Sequence, residues 1–187
     1  MLRRLTGSPI ASRWAAVLML PAAVNASDFY AHWGDGRAEV SSYDVVQPRY
    51  GEARRGYGVL VFVTEDIDRH TLIKVESPRA PESRIYTLKL NNVLKFTTGM
   101  YDYSVMTSVF SAVEGSQRPF ELKKITLSVQ EWCGHVFEEV RFEDKRIRGD
   151  LNSYFEREGK RTYELDIADG ESFFSEDHLL IAIRELR

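Results

Sequence analysis

The sequence predicts a mainly β protein, in which a strongly curved antiparallel sheet or partial barrel is followed by a C-terminal helix. Three observations lead to this fold class. Segments rich in β-branched and aromatic residues recur at hairpin spacing, and apolar and polar residues alternate along them. Only at the end of the chain do the apolar residues take up a helical spacing.

The predicted elements follow one another between residues typical of turns. Gly34-Asp35-Gly36 reads as a turn that precedes the first strand. The predicted strands and hairpin are Ala38 to Tyr50, Tyr57 to Glu65, His70 to Glu76, two short strands about Asn91-Asn92, the alternating run from Met100 to Val109, Lys124 to Phe137 with a bend or bulge at Gly134, and a hairpin that turns at Glu158-Gly159-Lys160.

The C-terminal helix is predicted from a capping residue and an apolar face. Ser175 can cap a helix whose first turn carries Glu176 and Asp177, which complement the helix dipole. Its apolar face is predicted to consist of Leu179, Ile183 and Leu186. The chain stops inside this pattern, so we expect the protein to be truncated at its C-terminus relative to its natural relatives.

The N-terminal segment has the pattern of a cleaved signal peptide. Arg3, Arg4 and Arg13 precede a short apolar run, and small residues end the segment before a cut after Ala26. The apolar run is about ten residues long, well short of the ~20 that a membrane helix needs. We therefore expect residues 1–26 to be a signal peptide and 27–187 to be a single β-rich domain. The mature protein would be periplasmic, without a transmembrane segment.

Composition narrows the classes of partner. The chain has 187 residues, a formal net charge of −3 and a single cysteine. This charge gives no electrostatic footprint for nucleic acid, so no nucleic-acid partner is expected. A lone cysteine cannot form an internal disulfide, and no nucleotide or metal fingerprint is present, so no cofactor and no metal are expected.

Glu131, Cys133 and His135 alternate along one predicted strand, and residues of these types build thiol nucleophiles and metal sites. If Lys124 to Phe137 is one strand, the three side chains form a polar strip on its inner face. Glu131 and His135 would lie about 13 Å apart at ~3.3 Å per residue, which rules out a triad from this strand alone.

Three interpretations of this strip are open. Cys133 and His135 could act as a thiolate–imidazolium pair completed by another strand, or share a zinc ion with His32, His70, His178 or a carboxylate. The structural interpretation, which we favour, pairs Glu131 with an inward arginine (Arg84, Arg141 or Arg148) and treats Cys133 as a small buried hydrophobe. A bulge at Gly134 would turn His135 to the outside.

A second set of residues could line a cavity for an apolar or lipid-like ligand. Its members are aromatic residues and a methionine from the run that follows Gly99 and from the cysteine stretch: Tyr101, Tyr103, Met106, Phe110 and Trp132. Packing in an ordinary core is the alternative explanation for these residues.

Several motifs together resemble a known family. They are "FYAHWGDGRAEVSSY", "GVLVFVTED", "LNNVLKFTTGMYDYSVMTSVFS", "SVQEWCGHVFEE" and "SYFEREG". This combination is similar to an uncharacterised family of exported bacterial proteins, whose members are sometimes labelled septum formation inhibitor Maf. The resemblance implies export and a longer C-terminus. No catalytic residues are established for that family, so it assigns none here.

The Maf label itself does not fit the sequence. Maf nucleotide pyrophosphatases carry S-x-S-P-R-R near the start of an α/β fold, whereas this chain offers only Ser77-Pro78-Arg79 followed by Ala80 in a proline-rich loop. We therefore expect an exported, non-enzymatic binding or envelope-associated protein that holds an apolar or lipid-like ligand. The alternatives are a Cys/His-dependent hydrolase or metal enzyme, and a module that binds another envelope protein.

Overall fold

The computed structural model describes residues 26–116, 118, 120–168 and 175–185. Within these ranges the chain forms one antiparallel sheet of eight strands whose spatial order follows the chain order. The fold is mainly β, as the sequence predicts, and the sheet is strongly curved and not closed. The strands are β1 (Glu39–Arg49), β2 (Glu52–Asp68), β3 (Arg84–Thr98), β4 (Tyr101–Glu114), β5 (Glu121–Glu131), β6 (Gly134–Glu143), β7 (Arg146–Ser153) and β8 (Lys160–Asp166).

Two short α-helices accompany the sheet. Helix α1 (Ala26–Trp33) precedes β1, and α2 (Leu179–Glu185) follows a 3₁₀ turn at Glu176–His178. The predicted signal peptide, apart from Ala26, lies outside the described residues. None of the helices in the described part of the chain is long and apolar enough to cross a membrane.

The core lies where both helices pack on the concave face of the sheet. Phe29 and Trp33 of α1 and Ile181 of α2 contact side chains from four strands, and all of them are buried. The strand residues of this cluster are Phe62, Leu88, Leu90, Val109, Leu122 and Ile125. Burying large apolar side chains in this way is the main stabilising contribution available to the sheet.

The convex face carries a smaller apolar cluster beneath the long β2–β3 connection. Leu72 from that connection packs with Ile67, Ile85, Phe110 and Ala112. The ammonium group of Lys124 donates a hydrogen bond to the carbonyl of Leu72 and lies 4.5 Å from the centre of the Phe110 ring. Burial lowers the pKa of Lys124. Phe110 is therefore packed within this cluster, where it is only 6% exposed.

Three strand predictions are wrong in detail. The segment His70 to Glu76 is not a strand, because only Lys74 makes an isolated bridge, to Ile67. Arg84–Thr98 is one continuous strand, without a break at Asn91-Asn92, because both asparagines pair across it with β2 and β4. The predicted strand from Lys124 to Phe137 is two strands, β5 and β6, joined by a turn at Trp132 and Cys133.

The helical ends of the domain also differ from the prediction. Helix α1 was not predicted, because its aromatic run is too short to show a helical period. The predicted first turn of the C-terminal helix, with Glu176 and Asp177, is a 3₁₀ turn, and the α-helix begins only at Leu179; the Ser175 side chain makes no capping hydrogen bond. Ile181 is the residue of α2 that is fully buried, whereas the predicted face residues Leu179 and Ile183 are exposed. Leu186 lies outside the described residues.

Replacing Ile181 by alanine tests how much the docking of α2 contributes to stability. Ile181 is 0% exposed, so Ile181→Ala should lower the free energy of unfolding by about 2–5 kcal/mol. Ile183, on the same helix, is 54% exposed, so Ile183→Ala should change it by no more than about 0.5 kcal/mol. Chemical denaturation monitored by circular dichroism measures both. Equal effects of the two substitutions would contradict the packing described here.

Candidate functional site: an amphipathic groove on the concave face

Among the described residues, the two helices cover only part of the concave face, and a groove runs along the rest of it. One part of this groove is a cavity of about 380 Å³, here called the Tyr103 pocket. This volume lies within the ~300–1,000 Å³ typical of small-molecule sites. The pocket is lined by residues of five strands and of the β7–β8 turn: Gln47, Pro48, Arg49, Leu94, Phe96, Tyr103, Val105, Leu127, Val129, Glu131, Val136, Phe155 and Glu158.

The wall of the Tyr103 pocket is apolar because alternate residues of neighbouring strands face the same side. Strand pairing places Leu94 opposite Val105 and Val129 opposite Val136. The rings of Phe96 and Tyr103 stack with their centroids 4.7 Å apart and their planes 7° from parallel. The result is a hydrocarbon-like surface interrupted by few polar atoms.

The polar end of the pocket is built on the β1–β2 hairpin. Tyr50 and Gly51 both have positive φ, the backbone of a type I′ turn, which closes the hairpin in two residues. The turn brings the Tyr50 hydroxyl to 2.9 Å from that of Tyr103, and this hydrogen bond together with burial raises the pKa of Tyr103. The guanidinium of Arg49 lies over both rings, 4.8 Å and 5.3 Å from their centroids.

Glu131 supplies a carboxylate on the opposite side of Tyr103. Its residue is only 6% exposed, and its Oε2 atom accepts a hydrogen bond of 3.2 Å from the backbone N–H of Cys133. The predicted arginine partners pair elsewhere: Arg84 with Asp66, Arg141 with Glu139, and Arg148 with Asp150. Within the described ranges Glu131 makes no ion pair, and its side chain lines the Tyr103 pocket.

A second cavity, here called the Tyr163 pocket, continues the groove toward the other edge of the sheet. It measures about 340 Å³ and shares Leu127 with the Tyr103 pocket. The Tyr163 ring covers Gly149, where an added Cβ would come within 2.1 Å of the ring. Its hydroxyl donates a hydrogen bond of 2.8 Å to Glu138, and burial with this bond raises the pKa of Tyr163 to about 12. The tyrosine thus stays protonated at neutral pH.

The structure divides the predicted site residues among three places. Tyr103 and Glu131 line the Tyr103 pocket. Tyr101 and Trp132 contact each other at exposed hairpin tips, with ring centroids 5.5 Å apart. Met106 and Phe110 lie on the convex face, because even positions of β4 point away from the groove, so assigning them to a ligand cavity is wrong.

The polar strip predicted on one strand face does not exist. Glu131 pairs with Gly134 across a two-residue turn, so both lie on the same face of the sheet. Odd-numbered residues face the groove before the turn, and even-numbered residues face it after the turn. Val136, Glu138 and Val140 therefore face the groove. His135 is exposed on the convex side, opposite Gln130.

Cys133 has the surroundings of an unreactive thiol. It is exposed at the turn, and the interpretation as a buried hydrophobe is wrong. Its pKa is raised by partial desolvation and by the neighbouring Glu131 carboxylate, which favours the protonated thiol. Nowhere in the described ranges do three or more histidine, cysteine or carboxylate side chains gather as a metal site would require.

Several residues of the pocket were missed by the sequence prediction. Arg49, Phe96, Phe155 and Glu158 come from three different hairpins and meet only through the curvature of the sheet. Ser153 Oγ holds Glu158 in place by a hydrogen bond of 2.5 Å. The pair Tyr50-Gly51, which is typical of tight turns, could have indicated that Arg49 is the last residue of a strand before a hairpin turn.

Comparisons of this chain with protein-family models, with curated proteins and with solved structures found no match. The properties of the groove therefore have to be argued from its own residues.

Replacing Glu131 by glutamine should make Cys133 react faster with a thiol reagent. The carboxylate raises the thiol pKa, so its removal lowers that pKa and increases the thiolate fraction at any pH below it. The rate of iodoacetamide labelling, measured across pH 6–10 (a range of about four units around the ordinary thiol value), should shift to lower pH in Glu131→Gln. Glu158→Gln, in the same pocket, is the control and should leave the profile unchanged. An unchanged profile in Glu131→Gln would contradict the contact.

Proposed function

We propose that this protein is an exported, periplasmic binding protein that holds an amphiphilic, lipid-like molecule in the concave groove. The signal-peptide pattern of residues 1–26 and the resemblance to exported bacterial proteins support the location. The groove supports the activity: it joins two cavities of about 380 and 340 Å³ through Leu127. The protein binds its ligand without transforming it.

The arrangement of apolar and polar atoms in the Tyr103 pocket carries this proposal. Leu94, Val105 and Val129 form an apolar wall that suits an acyl chain, because burial of hydrocarbon drives such binding. Polar groups gather at one end, where Arg49 and Tyr103 stand on one side and Glu131 on the other. This end offers both donors and acceptors, so it fits a polar head group better than the end of an alkyl chain.

The same contacts weigh against the enzymatic alternative. A thiol nucleophile requires a lowered pKa and a nearby cation, whereas Cys133 lies beside a carboxylate that raises its pKa. His135 is on the other face of the sheet and cannot act as its base.

Filling the pocket with a large side chain should abolish ligand binding. Val129 lines the Tyr103 pocket, whereas the next residue, Gln130, is exposed on the convex face. Val129→Trp should weaken the binding of a fluorescent fatty acid and a fluorescent monoacylglycerol by about tenfold or more. A loss of about 1.4 kcal/mol in binding free energy is enough for a tenfold change in affinity. Gln130→Trp is the matched control and should bind both probes as the unchanged protein does. Fluorescence titration measures the affinities.

A second pair of variants distinguishes a filled pocket from a misfolded protein. Val105→Trp fills the pocket from β4, and Met106→Trp places the same side chain on the convex face. Thermal unfolding identifies any variant that has lost its structure. An unchanged protein that binds neither probe, or folded groove variants that bind both as well as the controls do, would refute the proposed function.

A further inference from the structure

Four hairpins meet at one end of the sheet. In an antiparallel sheet whose strands follow chain order, alternate connections lie at the same end. The β1–β2, β3–β4, β5–β6 and β7–β8 turns therefore share one end, here called the aromatic end. The β2–β3, β4–β5 and β6–β7 connections share the other, here called the charged end.

Every hairpin at the aromatic end exposes a large side chain at its tip. Tyr50, Met100, Trp132 and Tyr154 each belong to a different turn, and all are more than half exposed. Trp132, the central one, is 63% exposed. A folded domain does not gain stability from exposing such residues, and clustered exposed apolar residues mark interaction sites.

The charged end has the opposite character. Its connections carry charged residues such as Arg69, Arg79, Glu143, Asp144 and Lys145. Ile73 is the one large apolar residue of these connections that is exposed in the described part of the chain. The two sets of connections thus differ in the large apolar side chains that they expose at their tips.

The tips of the aromatic end are held in place by contacts between neighbouring hairpins. The Tyr50 hydroxyl bonds to that of Tyr103, and the Tyr101 ring packs against Trp132. Tyr154 packs so closely on Gly134 that a Cβ there would come within 2.3 Å of its ring. The exposed side chains are therefore presented by ordered turns that are linked to one another.

We propose that the aromatic end docks this protein on the interfacial region of a phospholipid bilayer. Tryptophan and tyrosine concentrate at membrane interfaces, because their rings enter the apolar side while their N–H or O–H groups stay hydrated. Four tips spaced along the end of a curved sheet fit a broad, laterally extended partner better than one helix or strand. Met100 adds a flexible apolar side chain between them.

The charges of the aromatic end favour the bilayer interface itself over anionic head groups. Charged residues of both signs are exposed at or next to these turns: Arg49, Arg55, Arg157 and Lys160 alongside Glu52, Asp102, Glu156 and Glu158. This mixture contains no basic cluster, which is what anionic lipids attract. Binding should therefore depend on the aromatic side chains and only weakly on salt concentration.

The surface adjoins the mouth of the Tyr103 pocket, since Arg49, Glu131, Phe155 and Glu158 line the pocket at the same hairpins. An amphiphile could pass between a bilayer and the groove without crossing the charged end. The docking proposal stands on the hairpin tips alone and does not require the groove to bind a ligand.

Flotation with phosphatidylcholine vesicles tests the proposal on the full chain. The unchanged protein should float with the vesicles, and Met100→Ser/Trp132→Ser should bind them about tenfold or more weakly. Val40→Ser/Ile73→Ser is the matched control, because it removes two comparably exposed apolar side chains away from the aromatic end. The control should float as the unchanged protein does, at low and at high salt.

The outcomes separate this proposal from the proposed function. No flotation of the unchanged protein, including the case in which the aromatic end binds only proteins, overturns the docking proposal. Equal binding by the tip variant and the control overturns it as well. Val129→Trp, which fills the groove but leaves the tips intact, should still float. If acyl probes fail to bind while vesicles do, the groove function is lost and the docking proposal stands.

Discussion

The packing of two short helices on half of a curved sheet determines the rest of this structure. Phe29 and Trp33 from α1 and Ile181 from α2 fill the concave face near the charged end. An eight-stranded sheet this curved needs something to cover its inner face, because apolar side chains from every strand point there. The part of the concave face that the described helices leave uncovered forms the groove.

The polar groups of the groove are compatible with folding because most of them are paired. Tyr163 bonds to Glu138, Tyr103 to Tyr50, and Glu158 to Ser153. Glu131 is buried and lines the Tyr103 pocket, and its Oε2 atom accepts a hydrogen bond from the backbone N–H of Cys133. The Tyr103 pocket therefore joins an apolar wall to a few polar groups, which is the usual composition of a ligand site and makes it the candidate site.

The fold class could be predicted from the sequence, but the assignment of side chains to faces could not. Alternation of apolar and polar residues identifies a strand. A two-residue turn cannot be recognised in the sequence when this alternation continues on both sides of it. The turn at Trp132 and Cys133 exchanges the faces to which odd and even residues point. His135 and Phe137 were predicted to face inward and in fact face the convex side. Tyr103 and Glu131 were predicted as site residues, whereas Arg49 and Phe155 were not, because only the sheet's curvature brings them together.

The central claim is that an acyl chain lies along the concave wall, and nuclear Overhauser effects between protein methyl groups and the chain of bound stearic acid test this most directly, because they arise only between atoms in near contact. The methyl groups of Leu94, Val105 and Val129, which line the groove, should show these effects with the acyl chain. Val46 and Val93 each lie next to a groove residue in the chain but point to the convex face, so their methyl groups should show none. Effects to both sets alike, or to neither, would contradict a ligand site on the concave face.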